Sequence, residues 1–164
     1  MHTIPVKTVT LPPMTVACSR AFGESPEHEA WATLRAWAQP RGFLDDPAAH
    51  PVYGFNNPNP AEGQTRYGYE FWIKVPSNTP GTATVRVRPF AGGVFATADC
   101  HLFRKPTIRQ ACQSVLQWID AHDYTCGPTH ELEHHKNPLA NPDDLDIEFM
   151  IPFEEKAAAS VRSG

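Results

Sequence analysis

Apolar positions along the chain follow two different periods, and the changes between them divide it into elements. Ala30, Leu34 and Trp37 stand at i, i+4 and i+7, with Trp31 and Ala38 widening the stripe, which is the spacing of a helix. Ser25 can cap that helix, Pro26 suits its first position, and Glu27 and Glu29 complement the positive end of its dipole. Pro40 and Gly42 end it. A second helix is predicted from Pro106-Thr107, with Ile108, Ala111, Cys112, Val115 and Ile119 as its apolar face and Trp118 beside them. Tyr124 to Pro128 ends that region.

The remaining apolar stretches read as strands. Lys7 to Arg20 and Thr82 to Cys100 are long and β-rich, the first bent at Pro12-Pro13 and the second at Ala91-Gly92-Gly93. Val52 to Asn56 and Tyr67 to Val75 are shorter strands, joined by a turn loop from Asn57 to Arg66. His130 to Lys136 and Leu145 to Pro152 form another such pair. Residues 154–164 are expected to be a flexible tail.

This order of elements occurs twice. Each half runs long strand, helix, short strand, strand. Gly54-Phe55-Asn56-Asn57-Pro58 corresponds to His134-His135-Lys136-Asn137-Pro138, and Tyr69-Glu70-Phe71-Trp72-Ile73 to Ile147-Glu148-Phe149-Met150-Ile151. Glu70 and Glu148 therefore occupy equivalent places. The expected fold is α+β: two strand–helix–strand–strand repeats, residues 6–76 and 83–153, form one domain over 1–153. They share an antiparallel sheet with both helices on one face. The seam between the repeats is a natural cleft for a ligand.

A length of 164 residues suits one domain with its own core. Seventeen prolines fit interrupted strands better than long helices. The net charge of −4 argues against direct nucleic-acid binding, which leaves a basic footprint. No apolar run is long enough for a membrane span, and the first ten residues lack the form of a signal peptide. Cys18, Cys100, Cys112 and Cys126 form no CxxC pair. A cytoplasmic protein with reduced thiols is expected.

Phe22-Gly23-Glu24-Ser25-Pro26, Glu29-Ala30-Trp31 with Leu34 and Trp37, Gly54 to Pro58, Tyr67-Gly68-Tyr69-Glu70 and Gly92-Gly93, in this order, resemble the GyrI-like family. That family includes the effector-binding domain of AraC-type and MerR-type regulators. The resemblance runs from about Val6 to Phe153. It implies two repeats about a pseudo-twofold axis with a pocket on that axis. The pocket would have an aromatic lining and a glutamate at its base, the position that Glu70 matches. It also implies aromatic, often cationic, ligands. No helix-turn-helix fits into the residues outside the repeats, so the resemblance implies a stand-alone small-molecule-binding domain without cofactor. One family branch inhibits DNA gyrase, and another hydrolyses cyclopropane-bearing DNA-alkylating compounds through an aromatic cage. Three classes thus stay open. They are a binding module for aromatic or cationic compounds, a hydrolase using Glu70 as acid or base, and a gyrase-inhibitor-like protein. The partner would be a small organic ligand, with a separate DNA-binding regulator or gyrase as the macromolecular alternatives.

Strand alternation puts Tyr67, Tyr69, Phe71 and Ile73 on one face, and Gly68, Glu70, Trp72 and Lys74 on the other. A carboxylate beside Trp72 can pair with a cation, to which a ring face adds about 0.5–2 kcal/mol. The aromatic candidates for the cleft are Trp31, Tyr53, Phe55, Tyr69, Trp72, Phe95, Trp118 and Phe149, with Trp72 first because it shares a face with Glu70. Most large aromatics in a domain this size are core. Glu148 is the repeat mate of Glu70 and a second candidate.

His130-Glu131-Leu132-Glu133-His134 matches the letters of a zinc-protease motif. That chemistry needs a helix, and this segment reads as a strand. There the two histidines would stand about 13 Å apart, too far for one ion. No metal site is expected. Cys100 and His101, adjacent on a strand, point to opposite faces and cannot form a nucleophile–base pair.

Overall fold

The two bends in the long strands decide the architecture. The computed structural model describes residues 4–156. The first long stretch breaks into β1 (Lys7–Leu11) and β2 (Met14–Gly23), the second into β5 (Arg86–Phe90) and β6 (Gly93–His101). Between them run α1 (Pro26–Ala38), β3 (Val52–Asn56) and β4 (Tyr67–Val75). After β6 come α2 (Ile108–Ala121), β7 (Tyr124–Cys126), β8 (Leu132–His135) and β9 (Asp146–Glu155). All named strands pair antiparallel, in the order β1-β6-β9-β8-β3-β4-β2-β5, with β7 added on β9. The α+β fold of two joined repeats is thus the one observed.

Each repeat lends its first arm to the other. β1 pairs with β6, and β5 with β2. The two bends come into contact there. A Cβ on Gly92 (φ +78°) would lie 2.2 Å from the Leu11 carbonyl oxygen, so only glycine fits. Side chains from the arms (Val9, Leu11, Phe90) join Val16, Tyr53, Trp72, Phe95 and Met150 in one cluster, so the sheet curls around its own side chains on that face. Both helices cover the opposite, convex face. Ala30, Leu34 and Trp37 of α1 pack on Ala17, Phe71 and Ile73. Ala111, Val115 and Ile119 of α2 pack on Ala96, Ala98, Ile147 and Ile151. Fully buried Leu34 alone contributes about 1.5–3 kcal/mol of transfer free energy.

Four details depart from the sequence-based expectation. Ser25 sits at the N-cap of α1 but its side chain makes no capping bond; the helix starts on Pro26, which has no N–H to satisfy. A full capping box forms instead on α2, between Thr107 and Gln110. The region after α2 holds a short strand, β7, which pairs with the end of β9. That pairing keeps Glu154 and Glu155 in a strand, so the expected tail starts later, and its residues 157–164 lie outside the described residues. Finally, the repeats align one residue away from their Asn-Pro motifs. Glu70 faces Phe55, and Glu148 faces His134. Structurally, then, His134 is the mate of Phe55, and Glu133 the mate of Gly54. The loops after β3 and β8 absorb the extra residue.

Candidate functional site

The two helices lie on either side of the seam, and a cavity of about 1230 Å³ opens between them. Its floor is the centre of the sheet: Tyr67, Tyr69 and Phe71 of β4, Asn56 of β3, Glu133 and His135 of β8, Phe149 and Ile151 of β9. α1 contributes Glu27, His28, Trp31 and Arg35, and α2 contributes Ile108 and Leu116.

Alternation along β8 turns Glu131, Glu133 and His135 to this face while buried Leu132 points to the other. Gly54 stands opposite Glu133, and Tyr69 is two strands away from it, opposite Asn56. The empty place at Gly54 is what lets Tyr69 cross. A Cβ there would lie 2.2 Å from the Tyr69 hydroxyl oxygen. Tyr69 Oη donates to Glu133 Oε1 at 2.7 Å and lies 3.4 Å from His135 Nε2. With the tyrosine proton committed to Glu133, the histidine N–H is the donor in the second contact. Tyr67 donates in the same way to Glu27.

The charges follow from this enclosure. Burial raises the Glu133 carboxyl to about 7; the Tyr69 hydrogen bond pulls it down, and Glu27 and Glu131 push it up. Burial lowers His135 to about 4, with help from neighbouring His134, so its ring is neutral at neutral pH. Tyr69 lies well above the ordinary tyrosine value, first through burial and then through Glu133. Burial, then the bond to Glu27, lifts Tyr67 to about 12. The floor therefore holds a half-ionised carboxyl, two protonated phenols and a neutral imidazole. Aromatic rings adjoin it: Phe71 stacks within 5.3 Å of Trp31, 4.9 Å of Tyr69 and 5.1 Å of His135, centroid to centroid. Three carboxylates (Glu27, Glu131, Glu133) face the space and one guanidinium, Arg35.

Of the residues singled out in the sequence, the structure brings Trp31, Tyr69 and Phe149 to the cavity. Phe55 touches its edge, but its ring packs against Trp72 and His130. Glu70 and Trp72 do share a strand face, but it is the concave face, away from the cavity. There Glu70 is buried and bonded to Arg88, to Trp72 Nε1 at 2.5 Å and to Asn57 Nδ2 at 3.3 Å. Tyr53 and Phe95 lie in the same concave core. So does Glu148, held by His134 at 3.1 Å, Thr97 at 3.0 Å and Lys7 at 3.7 Å. The His134 bond, with those to Thr97 and Lys7, lowers it to about 2 against the opposing effect of burial. Trp118 packs outside, against Tyr124 and Phe153. Alternation separates the two faces of a strand but does not say which of them the helices will frame.

Glu133 was missed because it lies within the metal-like histidine segment and because the Asn-Pro alignment set it opposite the wrong residue. The signal was there. A central strand with Glu131, Glu133 and His135 on one face carries polar groups where a plain core would be apolar. His130 and His134 lie on and just before a strand rather than on a helix. Among the described residues, no group of three or more His, Cys, Asp or Glu is placed to hold a metal ion.

Residues 7–153 match the family described as Cass2, integron-associated effector binding protein. No curated protein matches the chain in sequence. Among solved structures, the EcmrR C-terminal domain superposes with a TM-score of 0.66 at 13% identity, over 94% of this chain and 99% of that one. A hydrolase from Listeria innocua gives 0.65 at 11%, over 91% of each chain. SAV2435 bound to tetraphenylphosphonium gives 0.52 at 12%, over 92% and 94%. At these identities the likeness establishes the fold alone.

Proposed function

The chain belongs to the integron-associated effector-binding protein family, matched over residues 7–153, and on that premise we propose that its cavity binds an aromatic, cationic small molecule. The observation that carries this reading is Glu133. It is enclosed at the cavity floor, and its hydrogen-bond partner among the described residues is the Tyr69 hydroxyl rather than a cation. A bound cation supplies the missing charge, favours ionised Glu133, and displaces its proton. Trp31, Tyr69 and Phe71 supply flat apolar surface and ring faces for the charge. Glu70 and Glu148 serve the fold instead, each neutralised by a cation from the other repeat's arm strand.

Calorimetric titration with tetraphenylphosphonium and with neutral triphenylphosphine oxide tests this. Glu133→Gln should weaken the cation by roughly 10- to 100-fold, the range for a hydrogen-bonded buried charge, and the neutral compound by less than about twofold. Equal losses for both, or no binding of either by the natural protein, would reject the charge-pairing role.

One observation favours a second reading. A carboxyl near 7 beside a tyrosine hydroxyl is suited to proton transfer at neutral pH. In a hydrolase, Glu133 would accept a proton from the attacking water and Tyr69 would protonate the leaving atom. Mass spectrometry of electrophilic aromatic compounds after incubation separates the readings. A compound recovered intact means binding, and one recovered with water added means hydrolysis.

A further inference from the structure

The duplicated fold builds the cavity symmetrically, but its two sides differ in chemistry. On the α1 side, Glu27, His28 and Arg35 face the space. On the α2 side, the corresponding surface is apolar. Ile108 and Leu116 lie two turns apart on one stripe of the helix and both line the cavity. Leu102 and Phe103, after β6, and Leu139, between β8 and β9, line the same side. These residues are open to solvent, Phe103 to 68%, Leu139 to 48%, Leu116 to 44% and Leu102 to 38%. Among the described residues, six large hydrophobics are exposed, and these four surround one opening. Scattered exposed leucines need no explanation, but a cluster continuous with a ligand cavity does.

We propose that the cavity takes an elongated amphiphilic cation, its charged head over Glu133 and its apolar chain laid along α2 across Leu116 and Phe103. The inference rests on the reading that the floor accepts a cation, and it adds the shape and the second end of the ligand. Charge selects the direction. The carboxylates lie at the floor and on the α1 side, and the α2 rim offers nothing to hold a charge, so an unbranched chain fits there and a second charged group does not. A compact aromatic cation would fill the floor and leave the rim wet.

The test is a titration of the whole protein with butyl-, octyl- and dodecyltrimethylammonium, each below its micelle concentration, beside tetraphenylphosphonium. The natural protein should gain up to about fourfold in affinity per methylene buried against the rim. Phe103→Ser combined with Leu116→Ser should flatten that gain at least tenfold at dodecyl length, yet change tetraphenylphosphonium affinity by less than about twofold. Both side chains are exposed, so the variant should keep its melting temperature, which checks the fold. Equal chain-length dependence in both proteins, or none in either, overturns the inference while compact-cation binding leaves the parent reading standing. If no cation of any shape binds, both fall. If the double variant instead abolishes self-association of the ligand-free protein, the rim is an interface between copies and the inference is overturned.

Discussion

Tyr69 of one repeat donates its hydroxyl to Glu133 of the other at 2.7 Å, across the bare backbone of Gly54. This bond ties the two halves together at the floor of the cavity, and it is the bond that keeps the Glu133 carboxyl from rising further. In Tyr69→Phe that restraint is lost. The Glu133 midpoint should move above about 7, and stability should fall by about 1–2 kcal/mol through an enclosed acceptor left unpaired. Carbon NMR of the side-chain carboxyl across pH reads the first effect, and urea unfolding the second. An unmoved midpoint would mean that the hydroxyl does not bear on Glu133.

Gly54→Ala puts a methyl where the tyrosine crosses. Since that carbon would meet the Tyr69 ring and hydroxyl at 2.2–2.7 Å, the tyrosine must leave Glu133. Overpacking of this kind costs about 1–3 kcal/mol. The two positions share one space, so the cost of Gly54→Ala should shrink in a Tyr69→Ala background. A double-mutant cycle should show a coupling of at least about 0.5 kcal/mol. Strict additivity would contradict the geometry.

The pH dependence of stability separates three groups. Glu133 rises on folding from 4.5 to about 7, so the folded state holds its proton more tightly and stability falls as pH climbs through that window. His135 drops from 6.5 to about 4, so its contribution is present above 6.5 and is lost as pH falls towards 4. The two oppose each other between 4.5 and 6.5. Glu148, at about 2, gives stability above 4.5 that disappears as pH falls towards 2. Urea unfolding from pH 3 to 8 should therefore show a shallow profile in the natural protein. In Glu133→Gln, the His135 contribution is unopposed and stability should rise more steeply with pH between 4.5 and 6.5. Parallel profiles would show that Glu133 does not titrate in that range.

Glu70→Gln should act on the fold and spare the ligand. Glu70 is buried while Arg88 is half exposed, so the substitution disturbs a partly screened ion pair and a buried Trp72 bond. A loss of about 1–3 kcal/mol is expected, with tetraphenylphosphonium affinity within about twofold of the natural protein. A variant that melts normally but fails to bind the cation would move the ligand to the concave face.

The fold was legible because it rests on local signals that do not compete. Helix α1 was written in the spacing of Ala30, Leu34 and Trp37, and α2 in Ile108, Ala111, Val115 and Ile119. The bends stood at Pro12-Pro13 and Gly92, and the duplication showed in the two Glu-Phe strands. The exchange of the arms β1 and β5 was not legible, because pairing between distant strands leaves no mark within either one. The site was read half correctly. Trp31, Tyr69 and Phe149 were named and lie in the cavity, whereas Glu70, Trp72, Tyr53, Phe95 and Glu148 pack on the other face.

By itself, then, the sequence determined the elements, their duplication and the separation of each strand into two faces, because period, turn residues and caps act over a few neighbours. Only the tertiary structure decided which face the helices frame and which residue stands opposite which. One residue of slip between the Asn-Pro motifs exchanges the faces of a strand, and it is that slip which sets Glu133 opposite Gly54, within reach of Tyr69.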